Sequence, residues 1–223
     1  LNGLTFSAGN GVDFGGGVLF NAGGASLSAT VRYCTFQYCG AVYGGGFAAL
    51  NHATVAFDEC VFKENRGGDG GGVFLNNYVS GTFTECVFDG NQLVLPDSVG
   101  FGGAACNSMA QSSATFAGCR FESNIASNGA AAGALFLSGV DGASQRVERC
   151  VFAHNRNSSG VGAAIYCVPD GATGEFVIER SYFGENVSSG AAVLVNNCPV
   201  KVENSIFAYN AGSMSSTGGA LGA

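Results

Sequence analysis

One short segment recurs along the chain, and that recurrence limits the fold more than any other feature. It reads Cys34-Thr-Phe36, Cys60-Val-Phe62, Cys86-Val-Phe88, Cys119-Arg-Phe121 and Cys150-Val-Phe152, then Ser181-Tyr-Phe183 and Ser205-Ile-Phe207. Three residues after most of these phenylalanines stands an asparagine: Asn65, Asn91, Asn124, Asn155, Asn186 and Asn210. Phe36 departs from this, with Cys39 in the slot, and Phe6 reads as a further copy with Asn10 one place late. A small-residue step into apolar residues follows each copy, as in Gly44-Gly-Gly-Phe47, Gly70-Gly-Gly-Val-Phe74, Gly133-Ala-Leu-Phe136 and Gly162-Ala-Ala-Ile165. A third element precedes each cysteine: Val55-Ala-Phe57, Thr82-Phe83, Thr115-Phe116, Arg146-Val147, Phe176-Val-Ile178 and Lys201-Val202.

The recurrent phenylalanines lie 24 to 33 residues apart, and no stretch has helical periodicity. Repeats of that length, built of short apolar strands, cannot bury a face alone and must stack. The pattern predicts an all-β right-handed parallel β-helix of about eight three-strand coils, a single domain over residues 1–223. In such a stack each coil lies ~4.8 Å above the last, so equivalent residues meet their own kind. Within Cys60-Val-Phe-Lys63 the cysteine and phenylalanine share one face while Val61 and Lys63 share the other. Phe57 lies an odd offset from Cys60, which requires a short turn at Asp58-Glu59. The expectation is therefore three internal ladders. Phe36, Phe62, Phe88, Phe121, Phe152, Phe183 and Phe207 form an aromatic column, each ring burying ~150–250 Å². The asparagines form an amide ladder at a corner, where this residue type also tolerates left-handed backbone. The cysteines Cys34, Cys60, Cys86, Cys119 and Cys150 form the third. The glycine step belongs where the chain bends or strands approach closely.

Composition narrows the function classes. Hydrophobic residues reach 47 % and charged ones 11 %, which excludes disorder by charge. The 37 glycines have no three-residue period, which excludes collagen. No apolar run approaches the ~18 residues of a membrane span. Net charge is −7 and the nine basic residues are scattered, so nucleic acid is not an expected partner. The cysteine column reads as small buried hydrophobes, since Ser181 and Ser205 continue it, or as disulfides between neighbouring coils, which the coil rise permits. Cys167 and Cys198, after equivalent strands of consecutive coils, are the best candidate bridge. There is no C-x-x-C, and His52 and His154 have no paired ligand set, so neither metal nor cofactor is expected.

With cores constant, function must lie in turns and outward faces. Two turns vary in length, one starting at Arg66 and its equivalents Gln92, Ile125, Arg156 and Val187, the other after the third strand. Both are rich in Ser, Gly and Asn, as solvated loops are. No catalytic residue is identified. Glu148, Glu179 and Glu203 line up beside Arg149 and Arg180 as a surface charge row. Sugar-acid lyases and pectinase-like hydrolases on this fold need converging carboxylates, and none converge in the sequence. A G-x-S-x-G elbow is absent, and no Thr-x-Thr column is visible that would make a flat ice-binding face. Two sequons occur. Asn157 lies in a variable turn and is the glycosylation candidate, whereas Asn186 occupies the ladder and is expected inward. The outward row Val61, Val87, Arg120, Val151, Tyr182 and Ile206 is apolar, which reflects strand preference or a lateral contact.

The F-x-x-N element followed by G-G-A-[ILV] resembles the repeats of the polymorphic outer membrane proteins of chlamydiae and related right-handed β-helix passenger domains. It stands here as Phe121-Glu-Ser-Asn124 with Gly133-Ala-Leu, and as Phe207-Ala-Tyr-Asn210 with Gly218-Gly-Ala-Leu221. The resemblance covers nearly the whole chain and implies a surface-exposed adhesive or structural stalk. The chain begins and ends inside the repeat, so it is expected to be a piece of a longer solenoid or a unit that stacks end to end. The expected function is a non-enzymatic extracellular or cell-surface scaffold, partnered by copies of itself or neighbouring coils. The rival is a carbohydrate-active enzyme or carbohydrate-binding protein on the same fold.

Overall fold

The computed structural model describes residues 1–94, 103–127, 131–138, 145–158, 162–168, 175–196, 199–212 and 221–222. Among them the regular structure is β-strand, arranged in four parallel sheets of eight, eight, seven and six strands. Sheet I holds the phenylalanine strands, such as Val61–Lys63 and Val87–Asp89. Sheet II holds strands that begin just past the ladder asparagine, such as Arg66–Asp69 and Gln92–Leu93. Sheet III follows the glycine step, as in Val73–Asn76 and Cys106–Met109. Sheet IV leads back to the cysteine, as in Ser80–Thr84 and Ser113–Ala117. The chain passes through the four in order and re-enters sheet I one rung along the axis, giving the predicted β-helix.

Two expectations change in detail. Each coil has four strands where three were expected, and six coils are complete in all four sheets, flanked by partial ones. The added strand is the segment from Arg66 onward and its equivalents, which glycine and serine content had marked as a turn. The asparagine ladder fixes the chain's direction at that point, so the next backbone groups already face their equivalents. Arg66 N–H donates to Cys39 O at 2.8 Å, Gln92 N–H to Asn65 O at 2.8 Å and Ile125 N–H to Asn91 O at 2.9 Å.

The aromatic column forms as predicted and gains Phe6 as an eighth ring. Successive centroids from Phe6 to Phe207 are 4.5–5.0 Å apart, with interplanar angles of 4–11°. A shorter stack, Phe57, Phe83 and Phe116, rises beside it from sheet IV. The two stacks meet edge to face, as at Phe57 and Phe62 (5.4 Å, 74°) and Phe116 and Phe121 (5.3 Å, 76°). That geometry sets the positive ring edge of one against the negative face of the other.

The amide ladder also forms. Each asparagine side chain donates to the phenylalanine carbonyl of one neighbouring coil and to the amide oxygen of the other. Asn91 Nδ2 donates to Phe62 O (2.8 Å) and Asn124 Oδ1 (3.0 Å), and Asn124 Oδ1 also accepts from Asn91 N–H (3.0 Å). The same set repeats at Asn65, Asn124, Asn155 and Asn186. Cys39 ends it with a backbone N–H to Asn65 Oδ1 at 3.0 Å, and Asn10, aligned with Gly40, lies outside the ladder.

The left-handed backbone is not at the asparagine. It falls one residue earlier, at Tyr38, Glu64, Ser123, His154, Glu185 and Tyr209, with φ of 49–56°. A second such column, Tyr33, Glu59, Glu85, Arg149, Arg180 and Asn204, precedes the cysteine column at 49–53°. This is the turn that the odd offset between Phe57 and Cys60 required. One left-handed residue after an outward one turns the chain so that Phe57 and Cys60, three places apart, both point inward. The strain is ~1–2 kcal/mol per non-glycine residue, offset because the amide stays bonded along the axis, as Glu59 N–H to Thr84 O at 2.9 Å. The glycine step answers a close approach: a Cβ on Gly45 would lie 2.3 Å from Arg66 O and 2.5 Å from Gly71 O.

Among the described residues there is no disulfide. Cys34, Cys60, Cys86, Cys119 and Cys150 are buried thiols. Each donates to the carbonyl two residues back, as Cys60 to Asp58 O (3.4 Å) and Cys150 to Glu148 O (3.3 Å). Ser181 and Ser205 make the same bond to Glu179 O (2.9 Å) and Glu203 O (2.8 Å). Cys167 is buried in sheet III opposite Val195, while Cys198 lies outside the described residues.

Replacing Asn124 by alanine strips acceptors from Asn91 and a donor from Phe88 O at full burial. It should cost on the order of 3–5 kcal/mol in guanidinium denaturation. Phe88→Ala should cost ~3–5 kcal/mol. Cys119→Ser, which installs the group already used at 181 and 205, should cost about 1 kcal/mol or less. Equal losses for Asn124→Ala and Cys119→Ser would refute the ladder account.

Candidate functional site

The coil interior is occupied by the ladders, so chemistry is confined to the outer faces. The column thiols are buried and bonded to one another along the axis. A hydrogen bond to Cys86 and burial push Cys60 up, and burial with bonds to Cys150 and Cys86 pushes Cys119 up. The downward pull on Cys86 comes from those same partners, Cys119 and Cys60. Among the described residues no group of three or more His, Cys, Asp or Glu side chains is placed to hold a metal ion.

Asn157, the glycosylation candidate, is not on an open turn. It lies in the sheet II strand Arg156–Asn157 with 1 % exposure, and its Nδ2 donates to Gly162 O at 3.3 Å. The fourth strand draws it inside, so the folded chain offers no site for a glycan there. Asn186 is inward, as expected, at 0 % exposure.

On sheet IV, Glu148, Glu179 and Glu203 stack in register. Arg180 reaches Glu179 at 2.9 Å and Glu148 at 3.3 Å, Arg146 pairs with both, Arg149 pairs with Glu148, and Lys201 reaches Glu203 at 3.1 Å. Interleaved cations neutralise the stacked carboxylates, so the row is a charge ladder. The opposite end of sheet IV carries hydroxyls in register, with no coil having threonine at both positions. Ser28, Thr54, Ser80 and Ser113 align in one outward column and Thr30, Ala56, Thr82 and Thr115 in the next. This two-column hydroxyl strip ends at Arg146. Serine and alanine at half its positions and uneven repeat lengths hid it in the sequence. The apolar row on sheet I is half-buried at Val61, Val87 and Val151 and open at Tyr182 and Ile206.

A further feature escaped the sequence reading. The residues just before and just after each ladder asparagine flank it on the outside of the corner between sheets I and II. Cavities open along that corner. One of about 210 Å³ is lined by Tyr38, Glu64, Arg66 and Gln92. Another of about 360 Å³ shares Arg66 and extends to Asn10, Val42 and Val94. A third of about 540 Å³ is lined by His154, Arg156, Glu185, Val187 and Tyr209, with His154 Nδ1 3.4 Å from Glu185 Oε2. Of the nine basic residues, seven have an acidic partner. Arg66 and Arg156 have none among the described residues, and both occupy the place immediately after a ladder asparagine. The available signal was that place, together with the lack of an acid in register beside them.

Asp69 closes a sheet II strand with Oδ1 buried and unpartnered, and burial raises its carboxyl to about 6. The folded chain therefore holds that proton more tightly than the unfolded one. Its stabilising contribution is full below about pH 4 and is lost as pH rises through about 6. Asp69→Asn should be more stable than wild type above that range, by about 1–2 kcal/mol allowing for partial exposure, and equal to it in acid. Thermal melts across the pH range check the sign.

The model of the right-handed β-helix region matches residues 16–207 of the chain. A search of the curated proteins found no match, and a search of the solved structures found none.

Proposed function

Because the chain belongs to the right-handed β-helix family, we propose that it is a non-catalytic extracellular or cell-surface scaffold, a stiff rod whose outer faces make adhesive or structural contacts. The observation that carries this reading is how the acidic side chains are used. Among the described residues most outward carboxylates stand beside a cation: Asp58 by Arg32, Asp89 by Lys63, Glu122 by Arg120, and the Glu148 and Glu179 pair by three arginines. Glycosidic cleavage needs two carboxylates facing one bond across a gap, one as acid and one as base or nucleophile. Carboxylates stacked one per coil and paired with arginine serve stability along the axis instead. The likeness to chlamydial polymorphic outer membrane protein repeats supports a surface location and an adhesive role. On this reading the partners are proteins, copies of the chain itself or adjoining coils, with carbohydrate as a second class.

A polysaccharide lyase or hydrolase on the same framework is the competing reading, and the two separate in one experiment. Purified protein incubated with neutral and acidic polysaccharides, with and without calcium, should release no reducing ends and no unsaturated uronate. Turnover abolished by a single Asp or Glu substitution would replace the scaffold reading with the enzyme one.

A further inference from the structure

We propose that the trough outside the first coils of sheet II binds the anion of a medium-chain fatty acid, with Arg66 gripping the carboxylate and the valines near it covering the aliphatic chain. This goes beyond the scaffold reading and stands or falls separately from it. The trough originates in a break of register. Asn10 pairs with Gly40 and Phe14 with Tyr43, so three residues of one coil stand against two of the next. One rung further, Gly40 and Tyr43 meet Arg66 and Asp69 with equal spacing. The extra residue makes a β-bulge, which bends its strand and interrupts the ladder. Val12 lies in the bulge at 86 % exposure. The cavity of about 360 Å³ lies against it, within the ~300–1,000 Å³ range of small-molecule sites.

The lining selects the occupant. Apart from Asn10 and Arg66 it consists of glycine, alanine and valine. Val12 and Val94 are exposed, so an alkyl chain laid on them and on Val42 removes apolar surface from water. Arg66 is the one cation of the lining, exposed and without an acidic partner among the described residues. A planar guanidinium grips one carboxylate through two parallel hydrogen bonds, and a polyanion finds no second cation beside it. The backbone along the trough is already bonded. Gly40 N–H donates to Gly9 O (2.8 Å), Gly11 N–H to Gly40 O (2.8 Å) and Val94 N–H to Gly67 O (3.0 Å). A peptide laid there would find no main-chain partner for its amides, whereas an alkyl chain has no polar group to satisfy. From the coil of Arg66 to that of Val12 is two rungs, ~10 Å. An extended chain advances ~1.2 Å per bond, so about eight carbons fill that length.

The test is calorimetric titration of the whole chain with butanoate, hexanoate, octanoate and decanoate at neutral pH and low salt. Affinity should rise about twofold per added methylene up to octanoate, less than full burial would give because the trough is open on one side, and level off at decanoate. Octanol should bind about tenfold more weakly than octanoate, and Arg66→Gln should lower octanoate affinity by about the same factor. Gly40→Ile puts a branched side chain into the trough, where its Cβ would stand 3.8 Å from Arg66 O and 3.9 Å from Asn10 Oδ1, both ordinary contacts. It should abolish binding, with circular dichroism reporting whether the fold is kept; Arg66→Gln, at an exposed position, carries the test if it is not. Arg156→Gln, which removes the other unpartnered arginine, should change nothing. Failure to bind octanoate, equal affinities across the series, octanol matching octanoate, an undiminished Arg66→Gln, an equal loss in Arg156→Gln, or tighter binding of an acetylated tetrapeptide ending in valine would each overturn the proposal. None of these outcomes touches the scaffold reading.

Discussion

Register along the axis is the constraint from which the rest of this structure follows. Parallel strands hold successive coils ~4.8 Å apart, and a side chain can gain from that spacing only if its equivalent in the next coil complements it. Phenylalanine does so by offset stacking. Asparagine does so more selectively, because one amide carries two donors and an acceptor and so can bond up and down the column at once. A slip of one residue would put Asn124 outside and leave Asn91 and Phe88 O without partners in a dry interior, a penalty of ~1–3 kcal/mol per group. The amide ladder therefore sets the register, and the rings of the aromatic column are among the largest fully buried side chains.

The legible part of the fold was the part written in repeated residue types. Phe62, Phe88 and Phe121 announced the column, and Asn91, Asn124 and Asn155 announced the ladder. The illegible part was written in backbone geometry. Glu64, Ser123 and His154 share no chemistry, yet all three take the left-handed conformation. What they have in common is a position before an inward asparagine. Sheet II was hidden for the same reason, since Gln92–Leu93 and Ile125–Ala126 have no residue in common and pair only because the ladder aligns them. Asn157 was misplaced as a consequence. The hydroxyl columns and the arginine pair are likewise properties of register and become visible only once the coils are aligned.

Cysteine and serine exchange places in one column because both satisfy one local demand. The residue after the left-handed corner must be small, inward and able to donate to the carbonyl two residues back, and Cys60 and Ser181 both do so. Gln145 shows a different solution within the core. It stands in register with Phe176, and its side chain bonds Ser138 O (2.8 Å), Ser112 O (3.2 Å) and Ala114 N–H (2.7 Å). A polar group of that size is tolerated inside because each of its bonds is made. Identity along a column thus matters less than satisfaction within it, and degenerate repeats can keep a regular backbone.

This division bears on where a β-helix can evolve a function. Inward positions are coupled to both neighbouring coils, so changing one disturbs two interfaces. Outward positions at the left-handed corners are less tightly coupled, since the backbone bonds there do not depend on the side chain. Glu64, His154, Glu185 and Tyr209 differ in type at one corner while the asparagine after each of them does not. An exposed cation beside that ladder gains little stability from the fold unless a carboxylate stands in register. Such a carboxylate is present for Lys63 at Asp89 (3.7 Å) and missing for Arg66 and Arg156. Residues that the stack neither requires nor neutralises are the ones free to be shaped by a ligand outside it.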